Sequence, residues 1–195
     1  MLTENEKKIL RFLAISSEKD YSINSIAKTL KLSPNGALKI LNKFVKEGIF
    51  FIKEIANIKS YKLNFNNEKT IRVLELAFIP NTLSEKLKIR DEDLNKLKGI
   101  TKACLIFGSY ITTKLKPNDL DILFIIDKSN FLLYKKNLEK VQDLIPFKIH
   151  DLLLTTEDLN NNIKEKNPAV INALLNGIVL WGVDVIVKEI KHGYK

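Results

Sequence analysis

Two short apolar runs constrain the fold of this chain most strongly. They cover residues 103–107 and 122–126. Each has a length typical of a buried strand and is too short to cross a membrane. The first run stops at a glycine–serine pair, residues 108 and 109. The pattern predicts two core strands joined by a polar segment that begins with a flexible bend.

Asp119 and Asp121 come directly before the second run. Because side chains alternate along a strand, we expect the two carboxylates on one face and Leu120 on the other, in the core. Converging carboxylates repel each other unless a cation lies between them, and hard oxygen ligands suit Mg²⁺ or Mn²⁺. The pair therefore predicts a divalent metal site at the end of a core strand.

Gly108 and Ser109 complement the acidic pair. Without a side chain on Gly108, a ligand can approach the backbone closely. If the residues that follow open a short helix, its first N–H groups and the Ser109 hydroxyl face an anion. These features together predict a site for a metal ion and a phosphate chain.

The order Gly-Ser, nine residues, then Asp-Leu-Asp resembles the signature of DNA polymerase beta-like nucleotidyltransferases, in particular the minimal nucleotidyltransferase domains common in archaea and bacteria. The resemblance covers the last half of the chain. It implies that Gly108 and Ser109 hold a nucleoside triphosphate and that Asp119 and Asp121 bind two divalent ions. Many relatives carry an Arg shortly after Gly-Ser, and here Lys114 or Lys116 would supply that phosphate-facing charge.

Asp151 interrupts the apolar run 147–154, where an ionisable group is costly unless it is paired or binds metal. In the nucleotidyltransferases a third carboxylate on a neighbouring strand completes the metal site. The order of elements assigns that place to Asp151, which would then help to deprotonate the attacking hydroxyl. A salt bridge on an edge strand remains the alternative.

The first third of the chain predicts three helices and a β-ribbon. Thr3 with Glu6, Ser22, and Ser33 with Pro34 are signals for three helix starts, the third helix ending at Gly48. Residues 49–55 and 60–65 read as the ribbon. This order resembles the winged helix-turn-helix domains of MarR-like and related prokaryotic regulators. The resemblance implies that the third helix reads DNA and that the ribbon, as a wing, contacts phosphates. The implied DNA-binding residues are Ser33, Asn35, Gly36, Lys39 and Lys43 on the helix, and Lys53, Lys59 and Lys62 on the wing.

Charge and composition agree with a DNA-binding first module and an intracellular protein. Of the formal net charge of +9, residues 1–65 supply +6, with 12 Lys or Arg and 6 Asp or Glu. The first residues lack the apolar core of a signal peptide, so we expect a cytoplasmic protein with no membrane contact.

We expect the side chains of Cys104 and Trp181 in the core, base stacking by Trp181 being the lesser alternative. His150 and His192 are too few and too far apart to predict a zinc site.

The predicted fold class is α+β, a winged helix-turn-helix followed by a polymerase-beta-type nucleotidyltransferase fold with a short mixed sheet flanked by helices. The predicted domains are 1–65, a helical connector 66–98, and the nucleotidyltransferase 99–195. A segment near the end, residues 177–182, resembles the closing segment of archaeal minimal nucleotidyltransferases, which packs by the nucleotide cleft.

The leading interpretation is a Mg²⁺- or Mn²⁺-dependent enzyme that moves a nucleoside monophosphate, with AMP from ATP favoured, to a hydroxyl. Related minimal nucleotidyltransferases often act as antitoxins that adenylylate HEPN toxins. By this analogy, a partner protein such as a HEPN toxin is a candidate acceptor. A first alternative is a transcriptional regulator whose second half only senses nucleotide or dimerises. A second is an RNA-modifying transferase. Winged-helix regulators usually pair to read a palindrome, so a homodimer is one candidate assembly, although the sequence does not determine the oligomeric state.

Overall fold

The protein is described here by a computed structural model, which places residues 1–55, 58–112, 117 and 119–194. The fold is α+β, and the chain divides into two compact units, Met1–Phe78 with Ile190–Lys195, and Ile79–Glu189. The predicted connector 66–98 is shared between them: its first helix packs in the first unit, and its second in the other. Within the described residues, every helix is too short or too polar to cross a lipid bilayer.

The first unit contains three helices, a β-ribbon and a fourth helix: α1 (Glu4–Ile15), α2 (Ile23–Leu30), α3 (Pro34–Lys46), β1 (Phe50–Ile55), β2 (Ile58–Leu63) and α4 (Glu68–Phe78). The predicted helix starts are confirmed. Thr3 and Glu6 form a capping box on α1, and the Ser22 and Ser33 side chains cap α2 and α3. The two strands pair antiparallel.

Helix α4 packs against α1 in this unit. The buried Arg11 side chain on α1 donates from Nε to the carbonyl of Ala77, at 2.7 Å, and lies over the Phe78 ring. Tyr194, near the end of the chain, accepts a hydrogen bond from the backbone N–H of Leu63 at 2.8 Å. These contacts attach both α4 and the chain end to the first unit, which explains why the predicted boundary at residue 65 does not coincide with the end of this unit.

The second unit is built around a mixed sheet. Its elements are α5 (Glu85–Lys98), β3 (Thr101–Phe107), a 3₁₀ turn (Gly108–Ile111), β4 (Asp119–Ile126), a second 3₁₀ turn (Lys128–Asn130), α6 (Phe131–Gln142), β5 (Lys148–Leu154), α7 (Thr156–Lys164), α8 (Pro168–Asn176) and β6 (Ile178–Trp181), followed by α9 (Val183–Gly193). The strand order is β5-β4-β3-β6. Strand β3 is antiparallel to β4 and β6, whereas β4 and β5 are parallel and α6 is their crossover helix.

Alternating residues of β4 divide between the two faces of this sheet. Leu120, Ile122 and Phe124 are fully buried with side chains of α5 and α6. Helices α7 and α8 contact the central strands β3 and β4, and their buried residues lie outside that cluster, so these helices cover the other face. Asp119 and Asp121 therefore lie on the face opposite Leu120, at the start of β4.

Both expected core residues of the second half are buried. Cys104 has no exposed surface, and burial raises the pKa of its thiol well above the ordinary value. Trp181 is 8% exposed, and its indole N–H donates to Thr101 Oγ1 at 3.2 Å. The indole is thus held inside the protein, which leaves little of its face for base stacking.

Candidate functional site

The structure brings Asp119, Asp121 and His150 together. In the parallel pairing of β4 and β5, Asp121 lies opposite His150. The imidazole Nδ1 is 3.6 Å from Asp119 Oδ2 and 3.7 Å from Asp121 Oδ1. One ligand atom from each residue falls within a group whose members are all within 4.8 Å of one another. The three residues are therefore close enough to one another to hold a metal ion.

The electrostatics of the two carboxylates favour a cation. Burial and the neighbouring charge of Asp119 raise the pKa of Asp121, and His150 opposes this shift. The protein thus holds two acids closer than their charges prefer, in a partly desolvated setting. The side chains of Asp119, Asp121 and His150 are 36%, 28% and 47% exposed, so a dissolved ion can reach them.

The Gly108–Ser109 bend lies against this pair. Gly108 has φ +73°, and a Cβ at this position would collide with Asp121 Oδ2. The Ser109 hydroxyl donates to Asp119 Oδ1 at 3.3 Å. The glycine therefore makes room for one carboxylate, and the serine orients the other.

Over the described residues, the bend continues into a 3₁₀ turn, Gly108–Ile111. The prediction of phosphate binding assumed a short helix over residues 110–116, of which 113–116 lie outside the described residues. Lys86 of α5 holds the turn in place: its Nζ donates to the Tyr110 carbonyl at 2.7 Å, and its own carbonyl accepts from the Tyr110 hydroxyl at 3.3 Å. So short a turn has no helix dipole to attract an anion. The nucleotide-holding role of Gly108 and Ser109 stays a prediction, and Lys114 lies outside the described residues.

The structure does not place Asp151 with the acidic pair. Asp151 lies opposite Ile122 in the β4–β5 pairing and so projects to the other face of the sheet. There its Oδ2 accepts a hydrogen bond from the Tyr134 hydroxyl at 2.9 Å. It also lines a cavity of about 620 Å³ with Lys128 and Lys135. The third potential ligand beside the acidic pair is therefore His150, one position earlier.

The sequence does not single out His150, because two distant histidines do not predict a metal site by themselves. Because side chains alternate along residues 148–154, His150 and Asp151 point to opposite faces of the sheet. The alternation alone does not determine which of the two faces carries Asp119 and Asp121. That choice is fixed by the register between β4 and β5. A shift of one residue would have brought Asp151 to the site instead.

Of the α3 residues that we expect to contact DNA, some are free of described hydrogen bonds on the surface and others bind groups of the protein itself. Asn35 and Lys39 are exposed. Ser33 is exposed too, but its hydroxyl accepts from the Gly36 N–H at 3.1 Å as the helix cap. Lys43 donates to Glu6 Oε1 at 2.7 Å in an ion pair within the first unit. Its amine would have to leave this partner, or share it, to contact phosphate.

On the ribbon, Lys62 is held by the protein itself. Its side chain is 12% exposed, and its amine donates to the carbonyls of Ser17 and Lys19 and pairs with Asp20 at 3.2 Å. The structure does not support Lys62 as a DNA contact, because contacting phosphate would break these bonds. Lys53 and Lys59 remain about half exposed in long ion pairs of 3.8 and 4.0 Å.

Comparisons with known proteins show one family model that is similar to part of the second unit, and its description gives no activity. A model described as a family of unknown function (DUF6932) matches residues 81–172, which include Gly108, Ser109, both acids and His150. No curated protein matches the sequence. Two solved structures of mutant MepR from S. aureus are similar at TM-scores of 0.36 and 0.38, with 16% and 14% identity; they cover 73% and 74% of this chain and 80% of each of their own chains. Similarity at this level establishes neither a shared fold nor a shared function.

Proposed function

We propose that the second unit is a polymerase-beta-type nucleotidyltransferase that moves a nucleoside monophosphate, AMP from ATP by preference, to a hydroxyl acceptor with a divalent cation. The observation that carries the proposal is the convergence of Asp119, Asp121 and His150 against the Gly108–Ser109 bend. Three potential metal ligands beside a glycine–serine bend are parts that metal-assisted phosphoryl transfer uses.

Each residue of the site has a chemical role in this proposal. Asp119 and Asp121 hold the cation, which offsets charge on the triphosphate when bound. Ser109 fixes the orientation of Asp119 through its hydrogen bond. Gly108 lets the Asp121 carboxylate lie against the backbone of the bend, because an added Cβ would collide with it. His150 adds a neutral ligand where the resemblance predicts a third carboxylate.

We propose a winged helix-turn-helix, which brings the protein to DNA, for the first unit. The support is the order of three capped helices and an antiparallel ribbon, with Asn35 and Lys39 exposed on α3. The excess of positive charge in residues 1–65 favours phosphate contact. A partner protein such as a HEPN-type toxin is the acceptor that the family resemblance suggests.

The test of transferase activity is transfer of label from each radioactive nucleoside triphosphate, with pyrophosphate release, in Mg²⁺ and in Mn²⁺. The wild-type chain is compared with Asp119→Asn/Asp121→Asn, and Asp127→Asn serves as a matched acidic control beyond the end of β4. Transfer that the double change abolishes and the control retains supports the enzyme. Absence of transfer to every offered acceptor, with nucleotide still bound, contradicts it.

A second candidate function is favoured by one observation, the imidazole in place of a third acid. Among the described residues, His150 stands where the resemblance puts the carboxylate that would take the proton of an attacking hydroxyl. A DNA-binding regulator that senses nucleotide through the second unit would need only binding. Nucleotide binding without turnover, together with a change in DNA affinity on adding nucleotide, is the result that selects this alternative.

A further inference from the structure

We infer that Asp119, Asp121 and His150 form a site that prefers a first-row transition ion, such as Mn²⁺ or Co²⁺, to Mg²⁺. The inference rests on the proposed function for the existence of a cation site and goes beyond it in assigning the class of ion. It depends on the identity and position of the third ligand, which the resemblance to nucleotidyltransferases does not supply.

The ligand chemistry separates these ions. Mg²⁺ is a hard cation that takes oxygen ligands and dehydrates reluctantly. Imidazole nitrogen is a softer donor, and its complexes with transition ions strengthen along the series from Mn²⁺ to Co²⁺ and Cu²⁺. A site with two carboxylates and one imidazole therefore gives up part of the affinity for Mg²⁺ that a third carboxylate would provide.

The distances from His150 to the two carboxylates are close to those expected around such an ion. With bonds of about 2.1 Å, two ligand atoms lie roughly 3.0 Å apart at a right angle and roughly 3.4 Å apart at the tetrahedral angle. His150 Nδ1 is 3.6 Å from Asp119 Oδ2 and 3.7 Å from Asp121 Oδ1. The two distances from the imidazole are thus only a few tenths of an ångström longer than the spacing of ligand atoms around a bound ion.

The surroundings also orient the ligands. Ser109 donates to Asp119 Oδ1, which leaves Oδ2 as the oxygen that faces His150. Such bonds to the far oxygen of a ligating carboxylate are typical of built metal sites. Gly108, without a Cβ, lets the carboxylate of Asp121 lie close to the bend. The hydrogen bond from Ser109 therefore orients one of the three ligands before an ion binds.

The test is calorimetric titration of Mg²⁺, Mn²⁺ and Co²⁺ into the full chain after chelator treatment. The variants are His150→Ala, His150→Asp and, as a matched control, His192→Ala on α9. We expect the wild type and the control to bind Mn²⁺ and Co²⁺ at least about tenfold more tightly than Mg²⁺. His150→Ala should lose most of this preference, and His150→Asp should shift it toward Mg²⁺. Circular dichroism checks that each variant is folded.

A spectroscopic readout identifies the ligand independently of affinity. The visible absorption bands of bound Co²⁺ should change on His150→Ala and stay unchanged on His192→Ala. Equal affinities for Mg²⁺ and Mn²⁺, or a preference that survives His150→Ala, would overturn the inference and leave the proposed metal-dependent function standing. Absence of binding by all three ions would overturn both.

Discussion

His150 lies opposite Asp121 across the parallel pairing of β4 and β5, with its Nδ1 3.7 Å from Asp121 Oδ1. This relationship defines the candidate site, because the register that brings His150 to the acidic pair turns Asp151 to the other face of the sheet. The site therefore has two acids and an imidazole where the sequence predicted three acids. That difference bears on both the metal and the chemistry.

The substitution Asp151→Asn distinguishes a site whose third ligand is His150 from one whose third ligand is Asp151. Because the Asp151 carboxylate accepts from Tyr134 on the opposite face, we expect the substitution to leave Mn²⁺ affinity within about twofold of wild type, whereas Asp121→Asn should reduce it at least about tenfold. Calorimetry on both variants measures the difference. A loss for Asp151→Asn as large as that for Asp121→Asn would show that Asp151 is a ligand after all.

Gly108→Ala should damage both stability and metal binding. The residue has φ +73°, and an added Cβ meets the Asp121 carboxylate. We expect the free energy of unfolding to fall by about 1–3 kcal/mol, from backbone strain and displacement of that acid. Gly99→Ala is the matched control, since its Cβ would have no atom within 4 Å and Gly99 has φ −79°. Urea unfolding and Mn²⁺ titration measure both effects. An unperturbed Gly108→Ala protein would contradict the bend's role.

The substitutions Lys39→Gln and Lys62→Gln should have different effects on DNA affinity. Lys39→Gln removes an exposed charge on α3, so we expect weaker binding to duplex DNA and a salt dependence reduced by about one phosphate contact. Lys62→Gln breaks bonds to two carbonyls and to Asp20. Its main effect should be lower stability of the first unit. Fluorescence titrations over a range of salt, with parallel unfolding curves, test both; equal losses of DNA affinity at unchanged stability would contradict this assignment.

The ion pair between Glu6 and Lys43 should give stability a defined pH dependence. Burial alone would raise the pKa of Glu6, but hydrogen bonds from Lys43 and Thr3 outweigh it and place the pKa below the ordinary 4.5. The hydrogen bond to Glu6 raises the pKa of Lys43 above 10.5 despite partial burial. The stabilisation is therefore complete between these two ordinary values. It is lost as the pH falls through the lowered pKa of Glu6 or rises through the raised pKa of Lys43.

Glu6→Gln isolates this charge effect, because Gln keeps the capping box. Since Lys43 is half exposed, we expect a loss of only about 0.5–1 kcal/mol at neutral pH. The difference from wild type should shrink below about pH 4. Lys8→Gln, an exposed change on the same helix, is the control. Urea unfolding at several pH values measures the difference, and a loss independent of pH would contradict the pairing.

Local signals predicted most of the elements. Thr3, Ser22 and Ser33 are caps whose chemistry acts over three residues, and they gave the starts of α1 to α3 correctly. The apolar runs likewise gave β3 and most of β4. What the sequence could not determine was contact between distant segments: the register that selects His150 over Asp151, and the loop carbonyls that bind Lys62. Such contacts depend on pairing and packing that no local pattern encodes.

The most direct test of the account is diffraction from crystals grown with Mn²⁺ and a non-hydrolysable ATP analogue, using the anomalous signal of the metal. We expect an anomalous peak within about 2.3 Å of Asp119, Asp121 and His150 Nδ1, with the triphosphate running along the Gly108–Ser109 bend. No peak at these three residues under saturating Mn²⁺ and nucleotide, or a metal ligated by Asp151 instead, would contradict it.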